Sequence, residues 1–521
     1  MRRAASEREC VGGAGPRASL RTTAAAVAAL ALASLLLAPP PGGVALRGVA
    51  AAEDGDVVVH LPLAGRGMDL DDLAPLQTPV ATATEAATAT ATPTATSTPT
   101  ATASPEPTAA PIVAEEDDPA LEFSGSWQRI SDASSSGGAH MLATEAGARM
   151  EVAFSGQHIE LLRVISRDGG RADVSIDGRS FGRLEFYFGE ERHQVPAVYD
   201  NLGDGPHRLS LTVSESQHAS SRGHNVTVDV VRAPSFVEPS ADQVAGVERA
   251  NVYRDRAGLP PIKMDRAINL AAQAHADYDV LNSQGHNETF GRPGFTGARF
   301  YDRTGYFGYD SGSFEVMFFG QLRLPGSVDG WVATVYHRLP FMDHSTMDTG
   351  AGIAEGSRWN TTVMDFGSRG HVPPTERLIT TYPASGQSDV PTDWDGNEAP
   401  EPLPGASYPV GYPVSLHIQR PVGRAVAGLP WRWDSLGLGW RTESSVDWRL
   451  DTAELLAEGG HAVSAFVLDQ ASDPNKFLGA DVVFVIARQP LAAGAEYTAH
   501  VSGRDSADES FDRRWSFTTA R

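Results

Sequence analysis

Residues 240–259, SADQVAGVERANVYRDRAGL, begin the part of the chain on which the fold prediction depends. Ser240, with Gln243 three residues later, is the capping-box pattern that starts a helix. The Pro-Pro pair directly after this stretch ends that helix. A second helix is predicted to begin at Asp265, because apolar residues then recur at spacings of three and four. Two amphipathic helices therefore open this region.

The remainder of this region predicts one more helix and two strands. Residues 327–338, SVDGWVATVYHR, are typical of a helix. Residues 348–356, DTGAGIAEG, and residues 360–367, NTTVMDFG, are typical of short strands between Gly-rich turns. Helices that flank a small antiparallel sheet make a layered domain, so an α-β-α sandwich is predicted for residues 240–383.

The two flanking regions predict β structure. In residues 119–235, segments such as RMEVAFSG and ADVSIDG alternate apolar and polar residues, and SIDGRSFGRLEFY is typical of a hairpin with an Asp-Gly turn. This order of strands and turns resembles the galactose-binding-like modules of bacterial exported proteins, which implies an N-terminal jelly-roll-like β-sandwich. Residues 400–521 are β-rich again, and their last strands resemble bacterial immunoglobulin-like modules. The resemblance implies a C-terminal immunoglobulin-like β-sandwich.

The N-terminal part of the chain is predicted to lie outside these domains. Residues 1–52 contain several arginines, the apolar run AAAVAALALASLLLA and a small-residue stretch, which is the pattern of a cleaved signal peptide. Residues 53–118 are rich in Thr, Ala and Pro, which predicts a disordered linker. The single cysteine, Cys10, precedes the apolar run, so the mature chain is expected to have no disulfide. We therefore expect a secreted protein, either free or associated with the cell surface, without a transmembrane segment after cleavage.

The charge of the chain narrows the class of partners. The 521 residues include 42 basic and 65 acidic side chains, for a net charge of -23. Such a chain repels polyanions, so nucleic acid is not an expected partner. Its length predicts two to four domains, because a single hydrophobic core stops growing below this size.

Six motifs of the middle region occur in the order in which the CAP superfamily has them: NVYRDRAGLPPI, AQAHADY, GHNE, FEVM, WVATVYHR and GAGIAEG. The region resembles this superfamily of cysteine-rich secretory proteins, antigen 5 and plant pathogenesis-related proteins, in the bacterial, cysteine-free (SCP-like) form. The resemblance implies an α-β-α sandwich with a large cleft. In that cleft two histidines and one or two glutamates converge, and in several relatives they bind a divalent metal.

The resemblance also identifies candidate site residues. His286 in QGHNE matches the first cleft histidine, and His337 in YHR matches the second. Glu315 in SFEVM matches the glutamate of the family's Gly-Glu-Asn motif. The family's second glutamate is missing, and Thr334 lies near its position. This absence weakens any mechanism that needs two carboxylates.

The chemistry of His286, Glu315 and His337 allows three interpretations. Two imidazoles and one carboxylate can hold a divalent metal, with zinc as the preferred ion and calcium as an alternative, and leave one position for water. The same residues could be catalytic, with Glu315 orienting His337 as a base. From spacing alone, each histidine could equally be a buried structural residue. The helix predicted for residues 327–338 would place His337 and Thr334 on a face toward the cleft.

Other residues are candidates for ligand binding. Arg338, beside His337, could clamp an anionic ligand or pair with a carboxylate of the chain, and the salt bridge is the favoured interpretation. Trp127 and Tyr187 could stack on a sugar ring or pack inside the β-sandwich.

Two further histidines are expected to be structural. His275 is interpreted as a buried packing residue, because it lies on the apolar side of its helix. His344, together with Asp343 and Asp348, is interpreted as part of a solvated turn rather than a calcium loop.

Three functions remain in competition. The first is a secreted or surface-exposed modular protein whose cleft binds an extracellular ligand, such as carbohydrate or cell-wall material. The second is a metal-assisted hydrolase that acts on peptide or cell-wall material, with His286, Glu315 and His337 at its centre. The third is a purely structural role, in which all domains are adhesive spacers.

Overall fold

The structure is a computed structural model that describes residues 111–521, apart from residues 322, 420–431, 434–439, 442–448 and 506–507. The predicted signal peptide, residues 1–52, and residues 53–110 of the predicted linker lie outside the described residues. No helix in the part of the chain that the structure describes is long and apolar enough to cross a membrane.

The N-terminal β region consists of twelve strands and a short 3-10 helix at Ser136–Gly138. The strands are β1 (Ile112–Glu115), β2 (Leu121–Ser124), β3 (Gln128–Ser131), β4 (Ala139–Ala143), β5 (Arg149–Ser155), β6 (Ile159–Ile165), β7 (Arg171–Ile176), β8 (Arg179–Glu185), β9 (Arg192–Tyr199), β10 (Pro206–Val213), β11 (Val226–Val228) and β12 (Val230–Ala233). They form three sheets with the orders β1-β12-β6-β9, β2-β5-β10-β7-β8 and β11-β4-β3.

Alternation along the strands builds the core of this region. In β5, Met150, Val152 and Phe154 are buried, while the residues between them are exposed or half-buried. The predicted hairpin joins β7 to β8 through Asp177 and Gly178, both with positive φ (53° and 75°). Two such residues make the turn that suits the twist of a hairpin, which confirms this prediction.

The predicted linker is wrong in its last residues. Ile112–Glu115 lies within the range 53–118, but it forms β1 and pairs antiparallel with β12. Ala114 of this strand is fully buried against the sandwich core. The ladder hydrogen bonds to β12 and the buried Ala114 order this segment, whereas the Thr/Ala/Pro composition ends just before it.

The central region contains five helices and a four-stranded sheet. The elements are α1 (Ala241–Arg256), β13 (Lys263–Met264), α2 (Arg266–Leu281), α3 (Phe300–Tyr306), β14 (Gly312–Phe319), α4 (Leu324–Val332), α5 (Leu339–Met342), β15 (Asp348–Glu355) and β16 (Asn360–Gly367). The sheet order is β13-β15-β16-β14. The capping box is present as predicted, since the Ser240 side chain accepts from Gln243 N and the Gln243 side chain accepts from Ser240 N.

Helices contact both sets of alternating residues in this sheet. Apolar residues of α1 and α4 share a cluster with Met364 of β16, whereas those of α2 share another with Val363 of the same strand. A Cβ atom on Gly350 or Gly352 of β15 would lie 2.1–2.2 Å from the α2 backbone. The glycines of DTGAGIAEG are therefore the positions at which α2 approaches the sheet most closely.

The helix predicted for residues 327–338 is wrong in its second half. Helix α4 ends at Val332, and residues 333–338 form turns. The backbone N–H groups of Val335, Tyr336 and His337 donate to the carboxylate of Glu398 instead of to carbonyls one helical turn earlier. A carboxylate that is 61 residues away in sequence thus replaces the helical hydrogen bonds.

The C-terminal β region contains the remaining strands and a 3-10 helix at Glu458–Gly460. The strands are β17 (Leu378–Tyr382), β18 (Asp393–Trp394), β19 (Val410–Gly411), β20 (Val414–Gln419), β21 (Arg432–Trp433), β22 (Trp440–Arg441), β23 (Arg449–Ala457), β24 (His461–Ala462), β25 (Ala465–Asp469), β26 (Val482–Ala487), β27 (Glu496–Arg504) and β28 (Ser510–Thr518). Two four-stranded sheets have the orders β17-β20-β26-β25 and β24-β23-β27-β28.

The predicted boundary between the central and C-terminal domains is displaced. Strand β17 lies inside the predicted range 240–383, yet it pairs with β20. The chain therefore enters the C-terminal sheet before residue 383. The regions also share hydrophobic clusters: Trp331 of α4 belongs to the same cluster as Val414 of β20, and Val198 of β9 packs with Ile268 of α2.

Replacement of Gly178 in the β7–β8 turn tests the role of its backbone conformation. Gly178→Ala should lower the free energy of unfolding by about 1 kcal/mol, because an L-residue is strained at φ 75°. Nothing lies within 4 Å of the new Cβ, so a clash would not contribute. Thermal melting measures the effect, and Gly479→Ala, which has open space and no positive φ, is the control. Equal melting temperatures for the two variants would contradict the assigned turn.

Candidate functional site

His286 and Glu315 form a hydrogen-bonded pair at the surface of the central region. His286 Nδ1 lies 2.8 Å from Glu315 Oε1. The Glu315 side chain, in β14, is 1% exposed, whereas the His286 side chain, in the loop after α2, is 50% exposed. A buried carboxylate thus holds one edge of an imidazole whose other edge can face solvent. The structure brings these two predicted site residues together.

A buried arginine provides the countercharge for Glu315. Arg303 of α3 is fully buried and donates through Nη2 to Glu315 Oε2. The same Nη2 donates to the backbone carbonyl of His286 at 3.2 Å. Burial alone would raise the pKa of Glu315, but the Arg303 guanidinium, followed by the charges of His275 and His286, outweighs it and holds that pKa well below its usual range. Glu315 is therefore ionised.

Two further carboxyl groups lie close to this ion pair. Asp365 of β16 is the direct cross-strand partner of Glu315 and is fully buried. Burial, followed by the charge of Glu315, raises the pKa of Asp365 well above its usual range. Asp279 of α2 is also fully buried, and burial, with the charge of Glu315 as the next contribution, raises its pKa to about 8. At neutral pH both aspartates are therefore mainly protonated, and Glu315 carries the negative charge.

His275 positions the loop that carries His286. Its ring is fully buried, as predicted. Nδ1 lies 3.0 Å from Glu288 Oε1, and Nε2 lies 3.1 Å from the carbonyl oxygen of Gly285, the residue before His286. Glu288 also accepts a hydrogen bond from the backbone N–H of Thr296. These contacts fix both ends of the loop around His286.

His337 does not join this pair. Its Nδ1 lies 2.8 Å from Glu398 Oε1, and its side chain is 16% exposed. It follows the end of α4, so the predicted helical face toward the cleft does not exist. Glu398, which is fully buried, accepts from three backbone N–H groups as well as from this ring. The sequence pattern identified His337 but not the carboxylate that holds it.

The predicted zinc or calcium site does not fit this arrangement. Both oxygens of Glu315 are already engaged, one by His286 and the other by Arg303. A metal site needs at least three ligand atoms close together. In the described chain, Asp132, Glu191 and His193 of the N-terminal β region have such atoms within 4.8 Å of one another. The buried guanidinium of Arg303 already supplies a positive charge beside Glu315, which disfavours a divalent cation at this carboxylate.

Arg338 and Thr334 are structural rather than exposed to a ligand. Arg338 is fully buried and donates to the carbonyl oxygens of Val332 and Pro413 and to Ser415 Oγ. The favoured interpretation was a salt bridge to a carboxylate of the chain. Among the described residues, no carboxylate lies within salt-bridge distance of Arg338. Thr334 is 3% exposed, and its hydroxyl donates to the carbonyl oxygen of Trp331.

The two aromatic candidates of the N-terminal β region have different environments. Trp127 is half-buried, packs against Phe123 with ring centroids 5.0 Å apart and contacts the sandwich core. Tyr187 is half-buried, and its ring stacks on His218 with a centroid distance of 4.3 Å. Tyr187 also lines a cleft between the N-terminal β region and the central region.

The loop around His344 is held by contacts within the chain. Asp343 accepts from the backbone N–H of Ser345, and Asp348 accepts from the hydroxyl of Tyr309. Both aspartates therefore already have hydrogen-bond partners within the chain.

Sequence reasoning missed Arg303, Asp365 and Glu398. Asp365 carried a signal, because an acidic residue within the apolar strand VMDFG has to find a partner when buried. The pairing of β14 with β16 would have placed it opposite Glu315. Arg303 and Glu398 carried no local signal, because their partners are 12 and about 61 residues away in sequence.

Comparison with known proteins identifies one sequence family. Residues 247–366 match the sequence model described as CAP, the cysteine-rich secretory protein family. This range contains His286, Arg303, Glu315 and His337. No curated protein matches the chain.

Solved structures share only limited similarity with the chain. A xanthan lyase from Paenibacillus is 20% identical, with a TM-score of 0.20, and the match covers 28% of this chain and 15% of that one. A family 35 carbohydrate binding module from Clostridium thermocellum is 16% identical over 23% of this chain and 96% of the module, with a TM-score of 0.18. An outer surface protein from Borrelia burgdorferi is 16% identical over 24% of this chain and 90% of that one, with a TM-score of 0.20.

Removal of the Asp279 carboxyl should change how stability depends on pH. The folded pKa of about 8 is above the ordinary value of 3.8, so the contribution of this group is fully present below about pH 4 and is lost as the pH rises through about 8. Asp279→Asn should therefore melt at a higher temperature than the wild type at pH 8.5, with the difference shrinking toward pH 5. The exposed Asp255→Asn is the control. If the melting temperatures of the wild type and Asp279→Asn fell in parallel as the pH rises, the raised pKa of Asp279 would be contradicted.

Removal of the Glu398 carboxylate should destabilise the junction around His337. Glu398→Ala leaves three buried N–H groups without an acceptor, so we expect a loss of about 3 kcal/mol in the free energy of unfolding. Glu398→Gln keeps one acceptor oxygen and should lose less. Chemical denaturation compares both with the exposed control Glu376→Ala. A loss for Glu398→Ala no larger than that of the control would rule out this anchoring role.

Proposed function

Since residues 247–366 form a CAP domain, we propose that the chain is a secreted or cell-surface modular protein whose CAP domain binds an extracellular ligand through His286 and Glu315. In this proposal the CAP domain is an α-β-α sandwich. The N-terminal β region is a jelly-roll-like module, and the C-terminal β region is an immunoglobulin-like module. The proposed ligand is carbohydrate or cell-wall material. In this proposal the two β regions hold the CAP domain close to that ligand.

The observation that carries the proposal is a half-exposed imidazole oriented by an ionised, buried carboxylate. Because Glu315 can only accept, His286 carries its proton on Nδ1 when the ring is neutral. Nε2 is then left with a lone pair on the exposed side of the ring. This fixed tautomer can accept a hydrogen bond from an N–H or O–H group, both of which peptides and glycans of cell walls provide.

A hydrolase is the second candidate function, and the same pair favours it. A carboxylate–histidine pair with a free Nε2 is the arrangement of a general base, because the carboxylate orients the ring and stabilises the imidazolium that forms. In such a step Nε2 would take a proton from water while Glu315 stays ionised. Arg303 keeps Glu315 ionised. Its hydrogen bonds within the described chain go to Glu315 and to backbone carbonyls, and none reaches the exposed edge of the His286 ring.

Binding to purified bacterial peptidoglycan tests the proposed ligand site. His286→Ala should weaken binding at least tenfold, about 1.4 kcal/mol, because the exposed acceptor is lost while the buried ion pair stays intact. His461→Ala, an exposed histidine of β24, is the control. Co-sedimentation over a range of protein concentrations measures the affinity. Wild-type affinity in His286→Ala, or no sedimentation of any variant, would refute the proposal.

Product analysis in the same samples separates binding from hydrolysis. A hydrolase predicts new amino groups or reducing ends from peptidoglycan with the wild type and none with His286→Ala. Binding without new end groups identifies the site as a binding site only.

A zinc titration tests the metal-assisted form of the hydrolase. A three-ligand site predicts a higher melting temperature with zinc, and His337→Ala would abolish that rise. Because Glu398 binds His337, and the ligand atoms of His286, Glu315 and His337 do not all lie within 4.8 Å of one another in the described chain, we expect any zinc effect on the melting temperature to be the same in the wild type and His337→Ala. Loss of a zinc-dependent rise in both His286→Ala and His337→Ala would contradict this geometry.

A further inference from the structure

A cleft of about 890 Å³ lies between the N-terminal β region and the CAP domain. Its volume is at the upper end of the range for small-molecule sites. Neither His286 nor Glu315 lines it, so it is separate from the site described above. Tyr187 and His218 line one wall, and Tyr301 and Tyr306 line the other.

Hydrogen bonds across the cleft fix its two walls. Arg192 Nη1 donates to the carbonyl oxygen of Phe295 at 2.7 Å, and Arg163 Nη2 donates to that of Tyr306 at 2.6 Å. Farther along, the backbone N–H of Arg183 donates to Asp310 Oδ2 at 3.1 Å. A cleft whose walls are already joined needs little ordering when a ligand binds, which favours affinity.

The cleft concentrates positive charge in a strongly acidic chain. Its lining contains five arginines and three acidic residues, although the chain as a whole has a net charge of -23. The arginines are Arg163, Arg167, Arg171, Arg183 and Arg222. In this lining, guanidinium groups therefore outnumber carboxyl groups.

Two of these arginines have no carboxylate of the described chain within salt-bridge distance. Arg163 is fully buried, donates only to carbonyl oxygens, and its Nε has no hydrogen-bond partner in the described chain. Arg167 is exposed and donates through Nε to the carbonyl oxygen of Gly189. The other three pair with carboxylates, such as Arg171 with Glu185 at 2.8 Å. A buried cation without an anion is costly, so an acidic ligand would compensate Arg163.

A pair of stacked aromatic rings lies beside these cations. The rings of Tyr187 and His218 are stacked with an interplanar angle of 2°, and both line the cleft. Phe290, which is 53% exposed, adds an apolar edge. Aromatic faces stack on the C–H face of sugar rings, whereas a flexible acidic peptide offers no comparable flat ring in each residue.

From this combination we infer that the cleft binds an acidic oligosaccharide, with a sugar ring against the Tyr187–His218 stack and its acid group on the exposed Arg167, while the buried charge of Arg163 in the same lining adds to the attraction. Guanidinium groups bind planar carboxylates and sulfates through paired N–H donors, so both uronic acids and sulfated sugars have the required chemistry. The inference does not depend on the His286–Glu315 site.

Isothermal titration of the full-length mature chain tests the ligand class. The probes are trigalacturonate, a heparin-derived tetrasaccharide, neutral galactotriose and hexaglutamate. At least one acidic saccharide should bind tenfold or more tightly than galactotriose and hexaglutamate, and its affinity should fall as salt is raised. Tighter binding of trigalacturonate identifies carboxylate as the anion, and tighter binding of the heparin fragment identifies sulfate. Equal affinity for galactotriose or hexaglutamate, or no binding of either acidic saccharide, would overturn the inference.

Variants locate the binding in the cleft. Tyr187→Ala and Arg167→Gln should each weaken binding of the acidic saccharide at least tenfold, and His218→Ala provides a second test of the stacked surface. Trp127→Ala removes an aromatic residue of the same region that does not line the cleft, and His461→Ala removes an exposed histidine far along the chain that does not line it either, so both should bind like the wild type. Thermal melting confirms that each variant is folded. Wild-type affinity in folded Tyr187→Ala and Arg167→Gln variants would also overturn the inference.

Discussion

The buried ion pair between Arg303 and Glu315 is the constraint on which the candidate site depends. Arg303 has no exposed surface, and Glu315 is almost fully enclosed. This guanidinium keeps Glu315 ionised. Burial, together with the negative charge of Glu315, then raises the pKa values of Asp365 and Asp279. Among Glu315, Asp365 and Asp279, Glu315 therefore carries the charge at neutral pH, and repulsion among these three carboxyl groups is avoided. That charge orients His286 at the surface.

A second buried carboxylate explains why the site departs from the expected pair of histidines. Glu398 takes the place of helical carbonyls as the acceptor for the backbone after α4 and binds the ring of His337. Nearby, the hydroxyl of Tyr336 donates to Asp473 of the C-terminal β region. The chain segment that carries His337 is therefore part of a junction between regions. Its histidine contributes to that junction, and His286 alone contributes an exposed imidazole to the site.

Local signals predicted the elements well, and distant contacts account for most of what was missed. The capping box at Ser240 and the turn at Asp177 and Gly178 follow from residues within four positions of each other, and both are present. The end of α4 could not be predicted, because it depends on Glu398, which belongs to a segment with no periodic pattern of its own. Likewise, the motif that contains Glu315 indicated a functional carboxylate, but not that Arg303 would neutralise it.

The most direct test of the account is the protonation site of the neutral His286 ring. Nitrogen-15 NMR of the full-length chain, with labelled histidine and His286→Ala used to assign the resonances, distinguishes the two ring nitrogens. The account predicts that Nδ1 carries the proton, because it donates to the buried Glu315 carboxylate, and that Nε2 is unprotonated and free to accept. A neutral ring protonated on Nε2 would contradict the account, because the exposed edge would then be a donor and the Glu315 contact would be absent.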